Sequence, residues 1–221
     1  MNSEEIYLYH HLGMGDHISC HGIVRHFCEI EDKVFLFVKE HNLKNVSRMF
    51  TDIKNLEFIV GDDNYVENYI KVNNIQNLLK IGFTLNAYEN FEYQFYKMAN
   101  LPIEYKRSKF YVERDYQKEI EIFNSLGLKE REYVFVHDGG YKLKDGVIHE
   151  NIKVVSPNNF GLFDWMYVIE NAKEIHCIDS SFICLVDCMD TKKIPLFNHR
   201  YVRNYPEHIS LYTKKKWNIL K

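Results

Sequence analysis

Short apolar runs recur along this chain, each ending in a polar or glycine-bearing turn, and between them apolar residues return at helical spacing. Strands that are apolar at consecutive positions are buried on both faces, the condition of a parallel sheet covered by helices. Ile6-Tyr7-Leu8-Tyr9 opens the series. It runs into His10-His11-Leu12-Gly13-Met14-Gly15-Asp16, after which Cys20, Ile23, Val24, Phe27 and Cys28 recur on one helical face. Val34 to Val38 reads as a second strand, Val46, Met49 and Phe50 as a short helix, and Glu57 to Val60 as a third strand before Gly61-Asp62-Asp63. From Asn64 to Ala99 the spacing predicts mostly helix, with Tyr88, Phe91, Phe95 and Met98 forming a core-facing stripe.

Leu101-Pro102 stops that helix, and charge rises without periodicity from Glu104 to Lys109, the best linker candidate. A second cycle follows, with a helix from about Asp115 that Gly127 closes. Tyr133 to Val136 leads into His137-Asp138-Gly139-Gly140, and a helix covers Phe163 to Ala172. Ile175 to Ile178 leads into Asp179-Ser180-Ser181, and Lys193 to Phe197 into Asn198-His199-Arg200. The expected fold is α/β, with two Rossmann-like parallel-sheet domains at residues 1–110 and 111–221. Each delivers polar residues to the carboxyl ends of its strands, where open α/β sheets bind ligands, and two such halves facing each other would enclose a cleft.

A formal net charge of −3 provides no broad basic field and weighs against nucleic acid as a partner. The acidic start Met1-Asn2-Ser3-Glu4-Glu5 lacks the basic and apolar regions of a secretory signal, and no apolar run approaches transmembrane length, so a cytoplasmic protein is expected. Five cysteines, Cys20, Cys28, Cys177, Cys184 and Cys188, contain no CxxC pair and read as reduced thiols in the core.

The first turn concentrates the chemistry. Gly13 and Gly15 let backbone approach a ligand where the following helix presents free N–H groups. A dinucleotide fingerprint would place its third glycine at Ile18, which weakens dehydrogenase and methyltransferase readings. Asp16, beside those N–H groups, is expected to stay ionised near neutral pH, as a general base must, although a carboxylate there also serves as a simple helix cap. His17 and His21 lie four residues apart, but no Glu follows His17, so the zinc-protease pattern is missing and no metal is expected. Either His11 or His17 could assist Asp16 or orient an acceptor. In the second half Ser180 and Ser181 offer hydroxyls and N–H groups at a helix start that favours phosphate, or a plain N-cap. Lys142 and Lys144 beside Gly139 and Gly140 could neutralise a leaving group, against the default of solvated lysines. Arg200 and Arg203 are further candidates for phosphate contact.

The stretch Leu12-Gly13-Met14-Gly15-Asp16-His17-Ile18 resembles the N-terminal glycine-Asp turn of the ADP-heptose:lipopolysaccharide heptosyltransferase family, a group of GT-B glycosyltransferases. Ala172 to Ser181 is similar to the family's late strand ending in Asp-Ser/Thr-Gly, with Ser181 in place of the glycine. The resemblance implies Asp16 as the base of an inverting, metal-independent transfer that needs no cofactor. It also implies a nucleotide-sugar donor bound at Asp179, Ser180 and Ser181, and a glycan or glycolipid acceptor. A non-catalytic protein that binds nucleotide or glycan on the same fold is the alternative.

Overall fold

A computed structural model of the protein describes residues 5–148, 153–157, 160–191 and 193–221. The chain forms two compact units, Met1–Glu113 with Glu207–Tyr212, and Arg114–Pro206 with Thr213–Lys221. Among the described residues no helix is long and apolar enough to cross a membrane.

The first unit runs β1 (Glu5–His10), α1 (Met14–Ile30), β2 (Lys33–Val38), α2 (Glu40–Arg48), β3 (Leu56–Val60), α3 (Asp63–Val72), β4 (Leu78–Ile81), α4 (Phe91–Met98) and α5 (Tyr105–Ser108). Its four strands are parallel in the order β3-β2-β1-β4. The central Leu8 lies opposite both Leu36 and Leu79, and Leu8, Leu36 and Phe37 are fully buried, as consecutive apolar strand residues covered on both faces should be.

β4 falls inside the stretch expected to be helical. Asn74 takes a left-handed φ of 50° that ends α3, and the four residues of β4, one of them Lys80, are too few to show a period of two. Of the anticipated aromatic stripe Phe95 is buried, whereas Tyr88 precedes α4 and is 97% exposed. The stretch from Glu104 to Lys109 is not an exposed linker. It folds as α5, and Lys106 is completely buried. Lys106 Nζ donates to Glu92 Oε2 at 2.8 Å, while Ser19 Oγ and the Tyr212 main-chain N–H donate to the same carboxylate at 2.6 Å each. A buried charge is tolerated when paired and hydrogen-bonded in this way. Tyr212 and the rest of the returning segment are thereby anchored, with Arg107 Nη2 donating to Tyr212 O at 2.9 Å and Asn90 to Ser210 O.

The second unit contains α6 (Tyr116–Ser125), β5 (Tyr133–His137), β6 (Lys153–Val155), a 3₁₀ turn at Leu162–Trp165 continuous with α7 (Met166–Glu170), β7 (Glu174–Cys177), α8 (Ser181–Cys188), β8 (Leu196–His199) and β9 (Trp217–Leu220). The five strands are parallel in the order β6-β5-β7-β8-β9. Asp115 caps α6 by accepting from Lys118 N at 3.1 Å, and Gly127 closes it at a φ of 58°. β8 begins later than the apolar run suggests, so Asn198 and His199 are strand residues.

Candidate functional site

Each sheet has one place where its strand order reverses. In the first it lies between β1, whose successor β2 is on one side, and β4 on the other; in the second it lies between β5 and β7. Loops leaving the carboxyl ends of such a strand pair diverge and open a crevice, the usual ligand position in open α/β sheets.

The first crevice is built from the β1–α1 turn and the loop leaving β4. Asn42 Nδ2 donates to Leu12 O at 2.9 Å and fixes the turn, and His17 N–H donates to Gly13 O at 3.1 Å to start the helix. Gly13 is the N-cap, in an ordinary extended conformation with φ −75° and ψ 147°. Its lack of a side chain makes room for Asp16: a Cβ there would lie 2.7 Å from Asp16 Oδ2. Asp16 thus folds back over the helix start, and Gly15 lies between them in the first turn. Burial pushes the Asp16 carboxyl up to about 6, the nearby His11 opposing the shift. Desolvation therefore outweighs the N–H groups that were expected to keep this carboxyl low.

Across the crevice His11 Nε2 donates to Gly82 O at 3.0 Å. Gly82 has a φ of +90°, and a Cβ would meet Phe95 Cε1 at 2.7 Å and His11 Cδ2 at 3.0 Å. Only glycine suits that position. The next residue, the half-exposed Phe83, stands with its ring centroid 4.7 Å from His11 and 4.6 Å from Tyr9. Its placement was not anticipated, because β4 itself was not.

His17 is 1% exposed and turned into the core, its ring 4.5 Å from that of His10 in a T-shaped pair. Both ring nitrogens of His17, and Nε2 of His10 and of His21, have no hydrogen-bond partner among the described residues. Burial lowers the pKa of all three, His10 and His21 to about 4 and His17 well below its ordinary value. The structure therefore brings Asp16, Gly13 and His11 together at the β1–α1 turn and encloses His17. Among the described residues no group of His, Cys, Asp or Glu has the arrangement to hold a metal ion.

The second crevice gathers His137 from β5, Asp179, Ser180 and Ser181 after β7, and Asn198 and Arg200 at the end of β8. Ser180 is the N-cap of α8, yet its side chain makes no capping bond. Its Oγ is hydrogen-bonded to His137 Nδ1 at 3.0 Å. The first-turn N–H groups of α8, which have no intrahelical partners, are left without a side-chain cap, and no acidic residue sits in that turn. Asp179 is neutralised from its own side: Asn198 Nδ2 donates to Oδ1 at 2.9 Å, and Arg200 Nη1 lies 3.6 Å from Oδ2.

The expected cations behave differently from one another. Arg200 Nη2 donates to Tyr205 O and Pro206 O at 2.9 and 2.6 Å, while its Nη1 faces Asp179. Lys142 is exposed, 3.7 Å from Asp145. Lys144 Nζ donates to the Lys221 main-chain oxygen at 2.8 Å and sits 4.4 Å from the Tyr201 ring centroid. Arg203 is exposed, and its charge, behind burial and Asp138, reaches His137, whose pKa is lowered. The turn before these lysines needs its glycines, since Gly139 and Gly140 have φ values of 62° and 83° and Gly140 N–H donates to Asp138 Oδ1 at 2.8 Å.

No protein-family model, curated protein or solved structure matches the chain.

Proposed function

We propose that the protein is an inverting glycosyltransferase whose first unit supplies the base and whose second unit holds a nucleoside diphosphate. The observation that carries this reading is Asp16, a carboxyl fixed on the first turn of α1 at the strand-order reversal and raised to about 6 by burial. A carboxylate with that pKa is a stronger base than an ordinary one and is still mostly ionised at neutral pH. In the proposed step Asp16 takes the proton of an acceptor hydroxyl as its oxygen bonds to the anomeric carbon of the donor sugar. The bond from that carbon to the diphosphate oxygen breaks, and the nucleoside diphosphate leaves with the electron pair.

The second unit suits the leaving group. The uncapped N–H groups of α8 and the Ser180 hydroxyl favour a phosphate oxygen, and the charge of the exposed Arg203 is felt at His137 beside them. Asp179 is suited to a ribose or sugar hydroxyl rather than to phosphate. The GT-B arrangement implied by the sequence resemblance, with a nucleotide-sugar donor and a glycan or glycolipid acceptor, is part of this proposal, and a nucleotide-bound crystal structure tests it.

A binding protein without transfer activity is the second reading, favoured by the engagement of Arg200 and Lys144 within the protein. A calorimetric screen against UDP, GDP, ADP, CMP and their sugar conjugates, followed by transfer assays on Asp16→Ala, separates the two. The transferase reading expects a selective diphosphate ligand, and in Asp16→Ala near-normal donor affinity with transfer abolished. A wild-type chain that binds nucleotide and transfers nothing to any glycan acceptor supports the binding protein.

A further inference from the structure

A chain of hydrogen bonds leads from the buried His176 and His199 of β7 and β8 in the second unit out to the loop after β5. His176 Nε2 lies 3.4 Å from Glu174 Oε2, and His176 Nδ1 lies 2.9 Å from His199 Nε2. His199 Nδ1 lies 3.0 Å from the Tyr201 hydroxyl, whose oxygen accepts from the Lys144 main-chain N–H at 2.8 Å.

The direction of every bond follows from its ends. A carboxylate only accepts, so His176 Nε2 carries the proton, and in a neutral ring Nδ1 then accepts. His199 must donate from Nε2, which leaves its Nδ1 to accept from the Tyr201 hydroxyl. That hydroxyl, having given its hydrogen inward, has only lone pairs to offer outward, and a main-chain N–H is the partner it meets. Both rings are fully buried against other rings, His176 stacked on Phe197 at 4.4 Å and 12° and His199 edge-on to Tyr201 at 5.7 Å and 70°, so neither can turn to a different partner without repacking. Burial lowers the pKa of both, in keeping with neutral rings.

We propose that Tyr201 is the positioning residue for the loop at residues 138–148, its hydroxyl oriented by His199 and His176 so that the Lys144 main chain is held in one place. The ring adds a second hold, because Lys144 Nζ lies 4.4 Å from its centroid. Gly139 and Gly140 make this segment intrinsically loose, with two consecutive positive φ values, so an external tether matters more here than in an ordinary turn. Where it concerns the ligand, the inference rests on the reading of this unit as a phosphate binder. A tethered loop presents the exposed Lys142 to an anion without first being ordered.

Hydrogen exchange on the full chain tests it. In Tyr201→Phe, which keeps the ring and loses the hydroxyl, the Lys144 amide is expected to exchange about tenfold faster, the scale of one lost hydrogen bond. Lys144→Ala keeps the N–H and is expected to leave loop exchange within about twofold of wild type, the hydroxyl bond being the larger hold. Unchanged exchange in Tyr201→Phe, or equal loosening in Lys144→Ala, overturns the proposal. Calorimetry with inorganic pyrophosphate reads the consequence for the ligand. Several-fold weaker binding in Tyr201→Phe is expected, and equal affinity in both proteins refutes that consequence. If wild type binds no pyrophosphate, the phosphate reading of the unit fails while the exchange result still decides the role of Tyr201.

Discussion

The two crevices occupy equivalent places on two parallel sheets and are filled by opposite chemistry. In the first, the helix start is covered by its own carboxylate, Asp16, against a glycine that leaves room for it. In the second, the helix start is left open because Ser180 bonds to His137 instead of capping α8. The histidines differ in the same sense. His10, His17 and His21 of the first unit leave four buried ring nitrogens unpartnered, whereas His176 and His199 of the second use every ring nitrogen in one directed chain. A helix terminus and an imidazole have no fixed meaning in this fold; their neighbours decide whether the terminus is covered by a carboxylate or left uncapped, and whether a ring is unpartnered or hydrogen-bonded at both nitrogens.

The sharpest break between the units is expected from Lys106→Met. It strands the Glu92 carboxylate in the core and should cost the first unit about 3–5 kcal/mol. Trp165 and Trp217 both belong to the second unit, so tryptophan emission in a urea titration should keep its midpoint while hydrogen exchange of α1 and α4 rises steeply. Next in size is acid. Each buried imidazole of the first unit binds its proton more weakly folded than unfolded, so its contribution is intact above pH 6.5 and is lost as pH falls toward about 4, where His10 and His21 titrate. The combined loss should reach a few kcal/mol. His17→Leu should flatten that slope and stabilise the first unit at pH 5.

Asp16→Asn should act with the opposite sign. A carboxyl raised to about 6 binds its proton more tightly folded than unfolded, so ionisation costs stability progressively from about pH 4 to 6. The variant should melt about 2–4 °C higher than wild type at pH 8 for each kcal/mol relieved, match it at pH 3.5, and lose transfer. The smallest effect is expected from Ser180→Ala, a several-fold loss of nucleoside diphosphate affinity by calorimetry with no change in the melting of the first unit. Equal affinity in that variant would remove Ser180 from the proposed anion site.

The α/β class and the leading strands were legible because continuous apolar runs such as Val34 to Val38 have no other comfortable environment. Three strands were not: β6 has three residues, Lys80 in β4 and Asn218 in β9 interrupt their apolar residues, and β4, which leads into the Gly82-Phe83 wall of the first crevice, lies inside a stretch that reads as helix. The positions of Asp16 and Ser180 could be read because a strand end followed by a helix is a local event. What surrounds them could not. The burial of Lys106 depends on Glu92 and on Tyr212, more than a hundred residues later, and the engagement of Arg200 and Lys144 depends on main-chain oxygens that carry no sequence signature. Tyr201 reads as an ordinary loop tyrosine until His199 and His176 are seen behind it.

The return of Glu207–Tyr212 to the first unit has a consequence for the order of events on the ribosome. Residues 1–113 emerge early and hold both Glu92 and Lys106, but the third donor to that carboxylate is the main chain of Tyr212. At ordinary translation speeds the intervening residues take about 5–20 s to appear. During that interval the first unit waits with its charged centre one donor short, so a protein whose sequence lists that unit first can finish it only after most of the second has been made.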